Sequence, residues 1–148
     1  MSREGTLRYL QDVAQTQEQE LRRSLLAQQR LLQQLQEKYA LLQEYLRQYR
    51  QDYAARECAG IAGAEVLRWR GFLQQLADVL QQQERLIQEQ EQRLLRLQEQ
   101  WRMAKAKEHG FAHLLQRLDD AKQLAELSRM QKEMDAWAAR AVQMRTSF

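Results

Sequence analysis

The 148-residue chain has no proline, the residue that most often stops or kinks a helix. Only five glycines are available for turns, far fewer than several packed layers would need. Valine, isoleucine and threonine together number nine, too little β-branched material for a sheet. The single cysteine, Cys58, cannot form an internal disulfide, so nothing points to an oxidising compartment. No apolar run approaches the roughly 18 residues that a membrane span needs, and the first ten residues lack the apolar core of a secretory signal. These absences exclude a multilayer enzyme, a disulfide-stapled module and a membrane-inserted protein. The chain reads as soluble and cytoplasmic.

What is present favours helix. Gln, Leu, Ala, Arg, Glu, Lys and Met fill 110 of the 148 positions. Ala, Glu, Lys, Leu and Arg alone fill 79, the composition of a coiled coil or very long helix. Net charge is +3, from 23 basic and 20 acidic residues, with the signs interspersed throughout. Residues 1–57 carry 9 basic and 8 acidic groups, 64–108 carry 8 and 7, and 109–148 carry 6 and 5. No basic face emerges, so this is a solvated, ion-paired helix surface and not a nucleic-acid binder.

Periodicity supplies the architecture. A ladder of 3- and 4-residue steps runs Leu7, Leu10, Ala14, Gln17, Leu21, Leu25, Gln28, Leu32, Leu35, Tyr39, Leu42, Leu46, Tyr49, Tyr53, with a local drift in phase between Leu21 and Leu32. A second runs Val66, Trp69, Leu73, Leu76, Leu80, Gln83, Ile87, Gln90, Leu94, Leu97, Trp101, Ala104, Glu108, Phe111, Leu115, Leu118. Each keeps one apolar seam facing a partner helix, and the glutamines within the seams weaken packing but exclude wrong registers. Between them, Cys58-Ala-Gly-Ile-Ala-Gly63 offers the one mid-chain reversal. The expected fold is therefore all-α, a long two-helix antiparallel coiled-coil hairpin. It would form a single domain over 1–148, with a first helix at about 7–57, a turn at about 58–63 and a second helix at about 64–142.

A reversal centred on Gly60–Ile61 pairs residues whose numbers sum to about 121, which sets Leu7 opposite Leu114. Everything past about residue 116 is then expected to lack an intramolecular partner, with both termini at the end opposite the turn. At the helical rise, the first helix would measure about 75 Å and the second roughly 120 Å. The protruding stretch carries Leu118, Leu124, Leu127, Met130, Met134, Trp137 and Met144, which marks it as a docking element. Its few basic residues are diluted by Glu133 and Asp135, so a protein groove or ring suits it better than a membrane surface. His109-Gly110 is the one place where the second helix could bend.

Reaction chemistry is missing. His109 and His113 stand four apart, but no third ligand completes a zinc site. Cys58 has no histidine partner, and there is no phosphate loop or paired-carboxylate pocket. The reading is of a non-enzymatic protein without metal or cofactor. A lateral cluster is more specific: Leu42, Tyr45 and Tyr49 share one face of the first helix, and Phe72, Leu76, Val79 and Gln83 one face of the second. The expected register pairs Leu42 with Val79, Tyr45 with Leu76 and Tyr49 with Phe72, and one seam cannot bury all of these alongside Tyr39, Leu46, Tyr53, Leu73 and Leu80. An apolar patch with two tyrosines is a partner-binding candidate.

In Leu7-Arg-Tyr-Leu-Gln-Asp-Val-Ala14, Tyr45-Leu-Arg-Gln-Tyr-Arg50, the turn at Gly60-Ile-Ala62, Phe72-Leu-Gln-Gln-Leu76, Trp101-Arg102 and Gln131-Lys-Glu-Met-Asp-Ala-Trp-Ala-Ala-Arg-Ala141, the chain resembles the flagellar FliJ family. The likeness covers essentially the full length. It implies a soluble component of the bacterial flagellar type III export apparatus, similar in form to the central stalk of rotary F-type ATPases and required for motility. Family members insert the end bearing both termini into the hexameric export ATPase and promote its assembly. They also contact the cytoplasmic domain of the membrane export gate and bind substrate-specific export chaperones. The resemblance thus implies a cytoplasmic protein, monomeric when free, peripherally associated with the inner membrane at the flagellar base.

By position, Leu42, Tyr45, Tyr49, Phe72 and Leu76 match the family's gate-binding surface; Val79 and Gln83 lie in it but depart in residue type, as does Lys38 at its far edge. Gln131, Lys132, Met134, Asp135 and Arg140 match the segment at the ring end, where Leu7, Leu10, Leu118 and Trp137 join them. The competing readings are an escort chaperone that clamps helical partners without a ring, the equivalent stalk of a virulence type III system, and a self-associating structural coil.

Overall fold

The computed structural model describes residues 2–146. Two helices account for nearly all of them, α1 (Arg3–Ala59) and α2 (Gly63–Thr146), folded as an antiparallel hairpin with α2 the longer. Ser2 caps α1: the Gly5 N–H donates to its Oγ at 3.1 Å, and the Thr6 N–H to its carbonyl at 3.0 Å. This cap starts the helix one turn earlier than the first apolar residue, Leu7, suggests. α2 runs without interruption through His109 and Gly110, and a Cβ at Gly110 would meet nothing within 4 Å. That glycine makes no close approach and does not interrupt the helix.

The reversal is shorter than the six residues expected. Gly60 closes α1 with a φ of 86°, the left-handed conformation that terminates helices, and its N–H donates to the Glu57 carbonyl at 3.2 Å. Ile61 and Ala62 complete the connection. The Ala62 carbonyl accepts from the N–H groups of Glu65 and Val66, both at 3.0 Å, and so opens α2. Arg56 in the last turn of α1 and Glu65 in the first turn of α2 complement their helix dipoles. They also pair with each other at 3.2 Å.

Contacts cluster into two units. One is Gln19–Arg102, containing the turn; the other joins the N-terminal residues through Glu18 to those from Met103 onward. In the first, Leu25, Leu46, Leu80 and Leu94 are buried, and Gln90 is 3 % exposed. The Gln90 Nε2 reaches across the seam to the Gln28 backbone carbonyl at 3.1 Å and to the Gln28 Oε1 at 2.7 Å. A polar layer is therefore satisfied between the helices, as the seam glutamines imply. In the second unit Ala14 is the best-covered apolar residue, at 2 % exposure, and Leu7 lines a common groove with Leu114 and Leu118.

Two expectations are corrected here. Leu10 is 38 % exposed and Gln17 is exposed, whereas Gln11 is half-buried and Glu18 buried. The seam steps 4 and 3 evenly through Leu7, Gln11, Ala14, Glu18, Leu21, Leu25, Gln28 and Leu32, so the phase drift is absent. Helix geometry kept the phase and overrode residue polarity at 10, 11, 17 and 18. Intramolecular partners also extend beyond residue 116. Leu118 is half-buried, and Lys122 forms an ion pair with Glu4, which the early start of α1 brings into reach.

The turn yields a paired test. Gly60→Ala forces a Cβ into the left-handed region and is expected to lower unfolding free energy by about 1–2 kcal/mol. Gly63→Ala, at a helical position with nothing within 4 Å of the added carbon, is expected to leave stability unchanged or raise it by about 0.5–1 kcal/mol. Urea titration followed by circular dichroism measures both; equal effects at the two sites would contradict this geometry.

Candidate functional site

The residues singled out by sequence fall into two groups, each within one compact unit. In the unit holding the turn, the 4-and-3 spacing places Leu42 on the α1 seam and Leu76 and Gln83 on that of α2, and all three are half-buried. The Gln83 Oε1 is buried with no hydrogen-bond partner among the described residues. Tyr45, Tyr49, Phe72 and Val79 flank that seam and are 44 %, 37 %, 43 % and 39 % exposed. The seven therefore divide into a supporting row and a presented row. A tyrosine or phenylalanine at this level of exposure keeps a large apolar face available to a partner.

The aromatic members are held in place. Tyr49 meets Phe72 edge-on, with ring centroids 4.9 Å apart and planes at 84°, as the expected register places them. Trp69 packs against Tyr49 at 6.5 Å and Tyr53 at 6.1 Å, and the Arg56 guanidinium lies 5.5 Å from its ring centroid. Such ring pairs are worth about 0.5–1.5 kcal/mol each beyond area burial. They border a groove of about 390 Å³ lined by Tyr49, Glu65, Arg68, Trp69 and Phe72. Sequence reasoning assigned Trp69 to the seam and passed over Glu65 and Arg68. The signal was available, because Glu65 and Trp69, and Arg68 and Phe72, stand four apart and share faces of α2.

In the other unit, Leu7 and Leu118 line a groove of about 510 Å³ with Arg3, Thr6, Leu114 and Arg117. Lys122 and, along the helix, Arg8 at 2.9 Å converge on Glu4. The hydrogen bond and charge of Lys122 hold the Glu4 carboxyl below its ordinary range; desolvation opposes them, and Arg8 adds lesser lowering contributions. Beyond Leu118 every described residue is exposed except the half-buried Ala141. Met134 is 67 % exposed and Trp137 71 %, and with Met130, Glu133 and Ala138 they border a notch of about 370 Å³. Gln131, Lys132, Asp135 and Arg140 are exposed around it.

This terminal stretch is helical without a covering partner because its side chains support one another along the chain. Gln116 bonds Asp120 at 3.1 Å, Gln123 bonds Asp119 at 3.4 Å and Gln131 bonds Asp135 at 3.4 Å. Pairs at this spacing add about 0.2–0.5 kcal/mol apiece to a solvated helix. Its apolar stripe also changes face. Continued from Leu118, the seam positions are Lys122, Ala125, Arg129, Lys132, Ala136 and Ala139. Leu127, Met130, Met134, Trp137, Ala141 and Met144 lie about two-fifths of a turn away, at 100° per residue.

Neither group resembles reaction machinery. Among the described residues no cluster of three or more His, Cys, Asp or Glu side chains is placed to hold a metal. Cys58 is free and exposed. No helix among the described residues is long and apolar enough to cross a membrane.

Residues 3–147 match the family model described as Flagellar FliJ protein. A curated relative, the Flagellar FliJ protein of Escherichia coli (strain K12), is 28 % identical over 141 residues, covering 95 % of this chain and 96 % of that protein. No solved structure matches the chain.

The Glu4 site makes a pH prediction. A carboxyl depressed in the folded state contributes stability above its unfolded pKa and loses it as pH falls through the folded value. The protection factors of the amides in the first turn of α1 (intrinsic over observed exchange rate at each pH) are therefore expected to be highest at neutral pH and to fall as pH drops through the lowered Glu4 value. Lys122→Ala should lower the same protection factors at neutral pH. Identical protection in the wild type and Lys122→Ala at pH 7 would show the contact to be without effect.

Proposed function

From the premise that this chain belongs to the flagellar FliJ protein family, we propose that it is the central-stalk-like component of the flagellar type III export apparatus. Like its family, it is not an enzyme; ATP turnover belongs to the hexameric export ATPase. In this reading the unit that holds the first turns of α1 and the end of α2 enters the ATPase ring. Its contacts are Leu7, Leu10, Leu118, Gln131, Lys132, Met134, Asp135, Trp137 and Arg140. The observation that carries the reading is the terminal stretch of α2, whose exposed Met and Trp stripe faces away from the α1 seam. Exposed apolar surface on a stable helix is covered at a gain in free energy when a partner supplies a matching groove.

A single hairpin inside a ring of six similar subunits cannot touch all six alike. It binds some subunit conformations better than others and so biases the ring and promotes its assembly. The presented row Tyr45, Tyr49, Phe72 and Val79, supported by Leu42, Leu76 and Gln83, is the surface for the cytoplasmic domain of the export gate. Binding both partners couples them, and the coupling is reciprocal. Export chaperones are further partners in this scheme, and the working place is the cytoplasmic side of the inner membrane at the flagellar base. The free chain is monomeric, and nucleic acid and cofactors play no part. Family membership favours the flagellar apparatus over a virulence secretion system and over a general escort role.

Deletion of residues 119–148 is expected to weaken binding to the purified export ATPase by more than about tenfold, since apolar anchors dominate such interfaces, and to abolish stimulation of ATP turnover. Unchanged binding and stimulation would refute the ring-entry reading. Separately, Tyr45→Ala and Phe72→Ala are each expected to weaken binding to the gate domain by about fivefold or more. Helicity should stay close to wild type in both, as should the melting temperature of Tyr45→Ala, whereas Phe72→Ala also loses its ring contact with Tyr49, about 0.5–1.5 kcal/mol of stability. A large loss of melting temperature would identify the residue as seam and not surface.

A further inference from the structure

The aromatic groove beside the turn carries a charge that the molecule does not answer. Glu65 on its rim is paired with Arg56 at 3.2 Å, and Arg56 also lies over Trp69, so that carboxylate is already compensated from α1. Arg68, on the same rim, has no ion pair or hydrogen bond among the described residues. Standing four residues before Phe72, its side chain shares the face on which that ring is presented. The groove thus combines an apolar lining of Tyr49, Trp69 and Phe72 with one uncompensated cation.

We propose that this groove extends the gate-binding surface toward the turn and receives from the gate a bulky apolar side chain with a carboxylate beside it. The apolar group lies on the three rings, and the carboxylate pairs with the Arg68 guanidinium. This rests on the reading of Tyr45, Tyr49 and Phe72 as the gate-binding row. Charge complementarity selects the occupant: a cationic segment would meet Arg68 with its favourable counter-charge, Glu65, already taken, and a purely apolar one would leave the guanidinium desolvated and unpaired. The rings are fixed against one another before a partner arrives, so little ordering accompanies binding. Trp69 and Arg68 thereby become specificity-determining residues, with the Arg56–Glu65 pair closing the wall nearest the turn.

The full-length chain is titrated by calorimetry against the purified cytoplasmic domain of the export gate at low and at physiological salt. Arg68→Glu is expected to weaken binding about tenfold and Arg68→Ala about threefold, while Arg68→Lys stays within about twofold. The affinity of Arg68→Ala should depend less on salt than that of the wild type. Because Arg68 is exposed, circular dichroism should show all three variants folded as the wild type is. If Arg68→Glu binds within about twofold of wild type while Tyr45→Ala binds poorly, the groove proposal is overturned and the gate-binding row stands. If neither Tyr45→Ala nor Phe72→Ala changes the affinity, or the wild type does not bind, the row and the groove fall together.

Discussion

A seam between two helices can cover only one stripe of each. That constraint governs every other feature of the molecule. Among the described residues no large side chain is completely buried, and even Leu25, Leu46, Leu80 and Leu94 retain an edge to solvent. A third helix would have covered Tyr45, Phe72 and Val79 and made them core. With two helices, the rows on either side of the seam stay half open, and apolar residues placed there are available for recognition.

So thin a seam needs help in choosing its register, because leucine at most contact positions would let the helices slide by a heptad with little change. The Gln28–Gln90 layer opposes this. Sliding one way by seven residues would bring Gln28 toward Gln83 but set Gln90 against Leu21; sliding the other way would set Gln90 against Leu35. Either slip strands a buried amide, at about 1–3 kcal/mol. The Arg56–Glu65 pair and the Tyr49–Phe72 contact hold only in the native register, so the polar layer also preserves the groove beside the turn.

Much of this was legible in residue order alone. The absence of proline, the glycine pair at mid-chain and the 4-and-3 spacing are local signals, and they sufficed for two helices, the reversal and the pairing of Tyr49 with Phe72. The failures came where residue type and helix phase disagreed. Leu10 is apolar and attracted a seam assignment that belongs to Gln11; Glu18 is charged yet buried. Phase is a property of the whole helix, and one misplaced leucine does not alter it. The ion pair of Lys122 with Glu4 was invisible for a different reason: it depends on the cap at Ser2, a terminal detail that hydrophobic spacing does not report. Arg68 was missed because an exposed arginine among eighteen stands out only once its neighbours are seen to be paired.

The end of α2 shows that exposure here is not merely a hairpin running out of partner. Were the stretch beyond Leu118 only an uncovered continuation of the seam, its apolar residues would keep the seam's phase. They do not: lysine and arginine occupy positions 122, 129 and 132, and the stripe from Leu127 to Met144 sits about two-fifths of a turn away. A helix lying along α2 in the direction of α1 would meet a row of cations separated by alanines. The stripe of Leu127, Met130, Met134 and Trp137 therefore does not face α1, and in the proposed function it is the face offered to the ATPase ring, for which adaptable methionine is suited. Glutamine–aspartate pairs along the same stretch keep it helical while it is uncovered. An apolar face on a helix stabilised for water is what the proposed docking into a ring requires: order before the partner arrives, and apolar area still to bury.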